Sequence, residues 1–284
     1  LVLPTWIART ARVRNHELLK PESRMPLVHP SAHVSPLAEL AEDVVVEAGA
    51  VIEEGVIVGA GSRVGHYAVL FTGTTVGADV RIEVGAVLGG LPQDLKYEGG
   101  ESGVSIGDRT VIREYVTVHR CVAPGGVTRV GADCLLMATS HVAHECVVGD
   151  RVMVANGAIL AGHVRVGDGA FVSGSVVVHQ FAHVGKLVMV GGGSAVRQDL
   201  IPFCLVDGHP ARPMGLNRVG LRRAGFSPAE MRTLRDAYKI LFRSGLGLEE
   251  ALGELQAIRG EGAEHVGDIV ELIQSSERGI ARPR

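Results

Sequence analysis

A six-residue beat of aliphatic side chains constrains this chain more than any other feature. Val142, Val148, Val154, Leu160, Val166, Val172, Val178, Val184, Val190 and Val196 fall six apart, Val130 and Leu136 extend the run backwards, and Val28, Val34, Leu40, Val46, Ile52 and Val58 keep the same time upstream. A fixed short period of this kind marks a parallel β-helix, in which every repeat is a short strand plus a turn. Three hexads close one triangular coil, so residues eighteen apart should lie above one another. The hexads opening at Val142, Leu160 and Val178 then share one face. Adjacent coils should be about 4.8 Å apart, the ordinary strand spacing.

The totals agree with thin repeated coils. The 284 residues include 38 Gly but only six Phe, four Tyr and one Trp. Each inward Val or Ile contributes roughly 1.5 to 3 kcal/mol when fully buried, so such a column needs no large aromatics. Hydrophobic residues make up 46%, yet no run approaches the roughly 20 unbroken apolar residues of a membrane helix, and no integral membrane segment is expected. The net charge of -3 gives no reason to expect nucleic acid as a partner. Cys121, Cys134, Cys146 and Cys204 form no CxxC pair. That pattern points to unbridged thiols in a reducing compartment and a cytoplasmic location.

On the face opened by Val142, Leu160 and Val178, His144, His163 and His179 fall in successive coils. A lone outward histidine on a prism is usually just solvated, but three on one face in successive coils suggest a catalytic wall within reach of one substrate.

Taken in order, the chain divides into three parts. Residues 1–24 lack the beat, carry five basic and two acidic residues and contain no apolar core long enough for a secretory signal; they read as a leader or non-native extension without order. Residues 25–202 form the β-helix. Its beat breaks over residues 89–105 at LGGLPQDLKYEGGESG, a polar excursion whose chemical content is Asp94 and Lys96, and insertions in solenoids tend to gather on the binding face. A shorter break at RCVAPGGVTR reads as a turn rather than a site. Residues 203–284 form a small α-helical domain: Ser227, Pro228 and Glu230 make a helix start, Met231, Leu234, Tyr238, Leu241 and Phe242 follow at helical spacing, and LEEALGELQAI and VGDIVELIQSS supply two further helices.

PQDLKY, IREYVTVHR, HVAHE, LAGHV, VHQF and NRVGLRR occur together and in order. With these motifs, residues 25 to 284 resemble the UDP-N-acetylglucosamine O-acyltransferases that open lipid A synthesis. The resemblance implies a left-handed β-helix, against the usual right-handed crossover rule, and a homotrimer with sites between neighbouring helices. It implies transfer of a 3-hydroxyacyl group from acyl carrier protein to the sugar 3-hydroxyl of UDP-N-acetylglucosamine, with no cofactor and no metal.

The residue roles follow from the same resemblance. His144 matches the general base, Glu145 the acid that orients its ring, and Gly162 the backbone oxyanion donor. His141, His163 and His179 match substrate-contacting positions, Gln180 one that places nucleotide or acyl chain, and Asp94 and Lys96 the loop that touches the sugar and the acyl hydroxyl. Asn217 and Arg223 align with a segment that meets the diphosphate and phosphopantetheine, although Val219 and Ala224 depart from the pattern around them. Gly192 matches a position that limits acyl length, and a glycine there implies a long chain. Arg218, Arg222, Arg223 and Arg243 are candidate contacts for the acidic carrier protein.

Two rivals remain at this level. One is an acyltransferase that acts on an amino-sugar nucleotide and forms an amide. The other is a zinc hydratase on the same β-helix, with clustered imidazoles as metal ligands.

Overall fold

A computed structural model describes residues 25–283, and the leader reading for residues 1–24 lies outside them. The described chain winds as a left-handed parallel β-helix followed by four helices. Among the described residues the strands form three sheets of eleven, nine and eight members, one per side of the prism. The first face includes Leu135–Leu136, Met153–Val154 and Phe171–Val172; the second, His141–Val142, Ile159–Leu160 and Val177–Val178; the third, Val147–Val148, Arg165–Val166 and His183–Val184.

Most strands are two residues long because only two fit between corners. The second residue points inward, so Val142, Leu160 and Val178 are all fully buried and stack in register along the second face. This is the eighteen-residue stacking read from the beat. The first described coil is the exception: Val28 is 42% exposed, and Val34 and Leu40 are only partly buried.

The corners explain where non-glycine residues carry strain. Glu145, His163 and Phe181 have φ of 55°, 62° and 64° and occupy one corner in three successive coils. An L-residue in this left-handed conformation costs roughly 1–2 kcal/mol, an expense the surrounding coils sustain.

The coil path departs from the hexad rhythm twice. The larger excursion occupies residues 91–102, between Val87–Gly90 and Gly103–Ile106. The smaller lies between Thr117–His119 and Val127–Val130. Because it adds six residues, Thr117 pairs with His141, twenty-four positions on rather than eighteen.

Beyond the last coil, Cys204–Asp207 extends the first face in parallel and then pairs antiparallel with Arg212–Leu216. Four helices follow: α1 (Arg218–Arg223), α2 (Pro228–Arg243), α3 (Leu248–Ala257) and α4 (Ala263–Ser275). The Ser227 and Glu230 capping box opens α2 as its sequence requires, and Leu234, Ala237 and Tyr238 form its buried stripe. The helices are tied to the prism by Lys186 and Asp268 at 2.6 Å and by buried Asp199. The Asp199 carboxylate accepts from the His183 N–H at 2.8 Å and from the Ser276 hydroxyl at 2.5 Å.

Candidate active site

His144 and Glu145 stand where the second face turns a corner. His144 is buried, 7% exposed, and its Nδ1 hydrogen-bonds Glu145 Oε2. The other carboxylate oxygen accepts from the Val122 N–H at 2.7 Å and the Ala123 N–H at 3.0 Å. Burial alone would push this carboxyl up, but the bonds from Ala123, His144 and Val122 together outweigh it and hold it below the usual glutamate value. A carboxylate beside Nδ1 fixes that nitrogen as the donor, which leaves Nε2 free to accept a proton. Across the ring, Nε2 faces Asp94 Oδ2 at 4.0 Å.

Gly162 lies directly above His144. A β-carbon at Gly162 would come within 2.4 Å of His144 Cε1, so only glycine lets the backbone pass against the imidazole. Its carbonyl accepts from Phe181 N–H, and among the described residues its own N–H has no protein acceptor.

His163 joins this group from the next coil. Its ring meets His144 edge to face at 5.5 Å between centroids and stacks on Phe181 at 4.4 Å. Its Nε2 is 3.9 Å from Glu145 Oε2. Burial lowers its pKa despite the carboxylate. His144, Glu145 and His163 each place one ligand atom within 4.8 Å of the others, a spacing short enough for a cation. Glu145 Oε2 is, however, already the acceptor for His144.

A second pair of imidazoles adjoins the first. His141 stacks edge to face on His119 at 4.7 Å, and its Nδ1 is 2.7 Å from Thr117 Oγ1. Burial, then the neighbouring His119 and His144, bring His141 down to about 4. His119 is also lowered, first by burial, and its Nδ1 is buried without a partner. A bare lone pair costs less there than an unpaired N–H. Both rings are therefore neutral near pH 7.

The remaining residues are more scattered. His179 and Gln180 are exposed; His179 bonds the Gln180 carbonyl at 3.1 Å and lines a shallow cavity of about 430 Å³ with Ser175, Val177, Ala195, Arg197 and His209. His179 thus stands apart from the His144 and His163 contact. Gly192 is exposed, and a β-carbon there would meet only the Gly174 carbonyl, at an ordinary 3.6 Å; packing does not demand this glycine. Lys96 is exposed, and its N–H bonds Asp94 Oδ1 at 2.8 Å. Asn217 caps α1: its oxygen accepts from Gly220 N–H and its NH₂ donates to the Leu187 carbonyl, both at 2.9 Å. Its side chain is thus held by structural bonds, while Arg223 in the last turn of α1 is exposed.

Sequence reading missed three contributors. RCVAPGGVTR, read as a plain turn, supplies both N–H groups that hold Glu145, because the extra residues curl its backbone against the next coil. His119 and Phe181 were visible only inside the IREYVTVHR and VHQF motifs.

Comparison with known proteins gives a consistent set of likenesses. Residues 199–281 match the family described as UDP N-acetylglucosamine O-acyltransferase, domain 2, and residues 128–162 match the bacterial transferase hexapeptide repeat. The acyl-[acyl-carrier-protein]–UDP-N-acetylglucosamine O-acyltransferase of Paracidovorax citrulli is 49% identical over 91% of this chain and 100% of its own length. The Burkholderia lata protein of the same name is 44% identical over the same shares. Among solved structures, the UDP-N-acetylglucosamine acyltransferase of Francisella novicida superposes with a TM-score of 0.87 at 34% identity, covering 90% of this chain and 94% of that one. That of Campylobacter jejuni gives 0.85 at 38%, over 90% and 100%.

Proposed function

This chain belongs to the UDP-N-acetylglucosamine O-acyltransferase family, and we propose that it performs the family's reaction with His144 as general base. It transfers a (R)-3-hydroxyacyl group from acyl carrier protein to the 3-hydroxyl of UDP-N-acetylglucosamine, the first step of lipid A biosynthesis.

The observation that carries the mechanism is the buried His144 and Glu145 pair with the Gly162 backbone against the ring. His144 Nε2 takes the proton of the sugar hydroxyl as its oxygen attacks the thioester carbonyl. The imidazolium that forms is stabilised by Glu145, whose carboxylate is already ionised and fixed. The Gly162 N–H receives the developing oxyanion, a donor type whose loss costs about 2.7 to 4 kcal/mol. Collapse of the tetrahedral intermediate expels the carrier's thiolate, which takes the proton back from His144. Asp94 and Lys96 hold the sugar and acyl hydroxyl at the Nε2 side. His141 and His163, kept neutral by burial, offer hydrogen bonds to substrate without adding positive charge. Gln180 and His179 contact the nucleotide or chain, and Gly192 leaves the groove open for a long acyl group. Arg223 meets phosphate, with Asn217 fixing the helix that carries it, and exposed Arg218 and Arg222 extend the basic surface toward the carrier protein.

The same reading includes a homotrimer. The outward row of the first face is apolar at Leu135, Met153, Phe171 and Met189, and that of the second is apolar beyond His141, at Ile159, Val177 and Ala195. The third face is mostly polar instead, with Arg129, Arg165 and His183 around a single apolar Val147. Two apolar faces per prism suit a closed ring in which each prism meets two neighbours. Four free, buried cysteines support a cytoplasmic location, and no helix among the described residues is long and apolar enough to cross a membrane.

The test is transfer of a 3-hydroxyacyl group from acyl carrier protein to UDP-N-acetylglucosamine, with an amino-sugar nucleotide as the second acceptor. Turnover of the first supports ester formation; turnover of the second alone moves the chemistry to amide formation.

A further inference from the structure

Two polar interruptions of the prism touch one another: the smaller one holds Glu145 directly and fastens both ends of the excursion that carries Asp94. At the start of the 91–102 excursion, Arg120 donates twice: its N–H to the Gly90 carbonyl at 3.0 Å and its guanidinium Nε–H to the Gly89 carbonyl at 2.7 Å. At the end of the excursion, the Ser102 hydroxyl donates to the Cys121 carbonyl at 2.7 Å, and the Gly125 N–H donates to the Glu101 carbonyl at 2.7 Å. Between these fastenings lie Val122 and Ala123, whose N–H groups hold Glu145 Oε1. The excursion itself carries Asp94, 4.0 Å from His144 Nε2.

We propose that Arg120–Gly125 is a clasp that sets Asp94 and Glu145 at fixed positions on opposite sides of the His144 ring, with Ser102 and Arg120 as positioning residues for acyl transfer. The inference rests on the assignment of His144 as the base. The physical logic is that Cys121 and Val122 share a peptide unit: the carbonyl of that unit is tied to Ser102 and its N–H to Glu145. Holding the carbonyl orients the N–H, because the peptide is planar. Release of Ser102 lets this plane rock, loosening the carboxylate that orients the base and the returning end of the loop that carries Asp94. Neither Ser102 nor Arg120 need touch substrate for this.

The experiment uses the full chain with Ser102→Ala and Arg120→Met, each alone and combined with Glu145→Ala. Backbone amide exchange at Val122 and Ala123 reads the coupling without reference to catalysis, and it should rise by about tenfold or more in Ser102→Ala as local protection is lost. Steady-state kcat should fall by about tenfold in either single variant, a size in keeping with misplaced catalytic groups. In the Glu145→Ala background Ser102→Ala should lower kcat no further, because groups acting through one another are not additive. Arg120→Met should also raise the KM for the nucleotide sugar, since it frees the Asp94 end of the loop.

Unchanged exchange at Val122 and Ala123 in Ser102→Ala overturns the clasp whatever the rates do. Losses that multiply in the Ser102→Ala, Glu145→Ala double variant also overturn it, reducing Ser102 to a contact that merely stabilises the fold. Retained activity in His144→Ala would instead refute the base assignment, and the exchange data would still decide whether the clasp exists.

Discussion

The imidazole of His144 and the backbone of Gly162 occupy adjoining coils so closely that a β-carbon on Gly162 would sit 2.4 Å from His144 Cε1. The glycine does two things at once: it makes room for the base, and it brings a backbone N–H beside the same ring. Gly162→Ala keeps that N–H yet forces the imidazole aside. Crowding a packed site usually costs about 1–3 kcal/mol, and an ångström of misplacement near the chemistry costs roughly a hundredfold in rate. Urea denaturation should show that stability loss in the parent and little of it when His144→Ala has already removed the ring. Equal destabilisation in both backgrounds would mean that the methyl group clashes elsewhere.

His144→Ala should lower kcat by a hundredfold or more, within the range of about 10² to 10⁴ for general acid–base catalysis. Glu145→Gln is more informative. An amide there turns one hydrogen-bond-accepting oxygen into a donor, facing either the His144 Nδ1–H or the Val122 and Ala123 N–H groups. A kcat loss of about tenfold to a hundredfold with little change in acceptor KM is the expectation for a group that orients the base. Because His144, Glu145 and His163 are close enough to hold a cation, both assays should include a chelator. Parent activity that survives it fits base catalysis, whereas loss restored by zinc would favour the metal reading.

Much of this fold was legible because each hexad makes the same local demand, so stacking by eighteens correctly aligned Val142, Leu160 and Val178. The same arithmetic failed across the second interruption. Six added residues place Thr117 opposite His141, hide His119 beside it and bring Val122 against Glu145, twenty-three positions on. Periodicity cannot see such contacts, since an insertion resets its phase. Helix α1 was hidden for another reason: six residues are too few to display a helical period. The two glycines singled out as functional separate only in three dimensions. Gly162 is required by packing, whereas at Gly192 a side chain would find ordinary clearance.

His141 gives a pH dependence with a definite sign. Burial and two imidazole neighbours hold it at about 4 in the folded chain, against about 6.5 when unfolded. Between those values the unfolded chain binds a proton that the folded chain refuses, so stability is full above about pH 6.5 and falls as pH drops toward 4. His119, His163 and His183 are lowered in the same direction. Denaturation at pH 7 and pH 5 should show a weaker protein at the lower pH, and His141→Gln should flatten the difference. A His141 NMR titration midpoint near 6.5 would contradict the buried, neutral ring.

The outward rows of the prism predict how the chain assembles. Met153 and Phe171 on the first face and Ile159 on the second are apolar, whereas the matching row of the third face includes Arg165. If the first two faces meet neighbouring copies, a carboxylate introduced there is buried without a partner, a change that costs several kcal/mol. Light scattering should find the parent at three times the 29.9 kDa chain mass. Met153→Glu and Ile159→Glu should each shift it toward a single chain, and Arg165→Glu should leave it assembled. The asymmetry between faces is the decisive part. Dissociation by all three variants alike would point to general destabilisation, and dissociation by Arg165→Glu alone would put the interface on the third face.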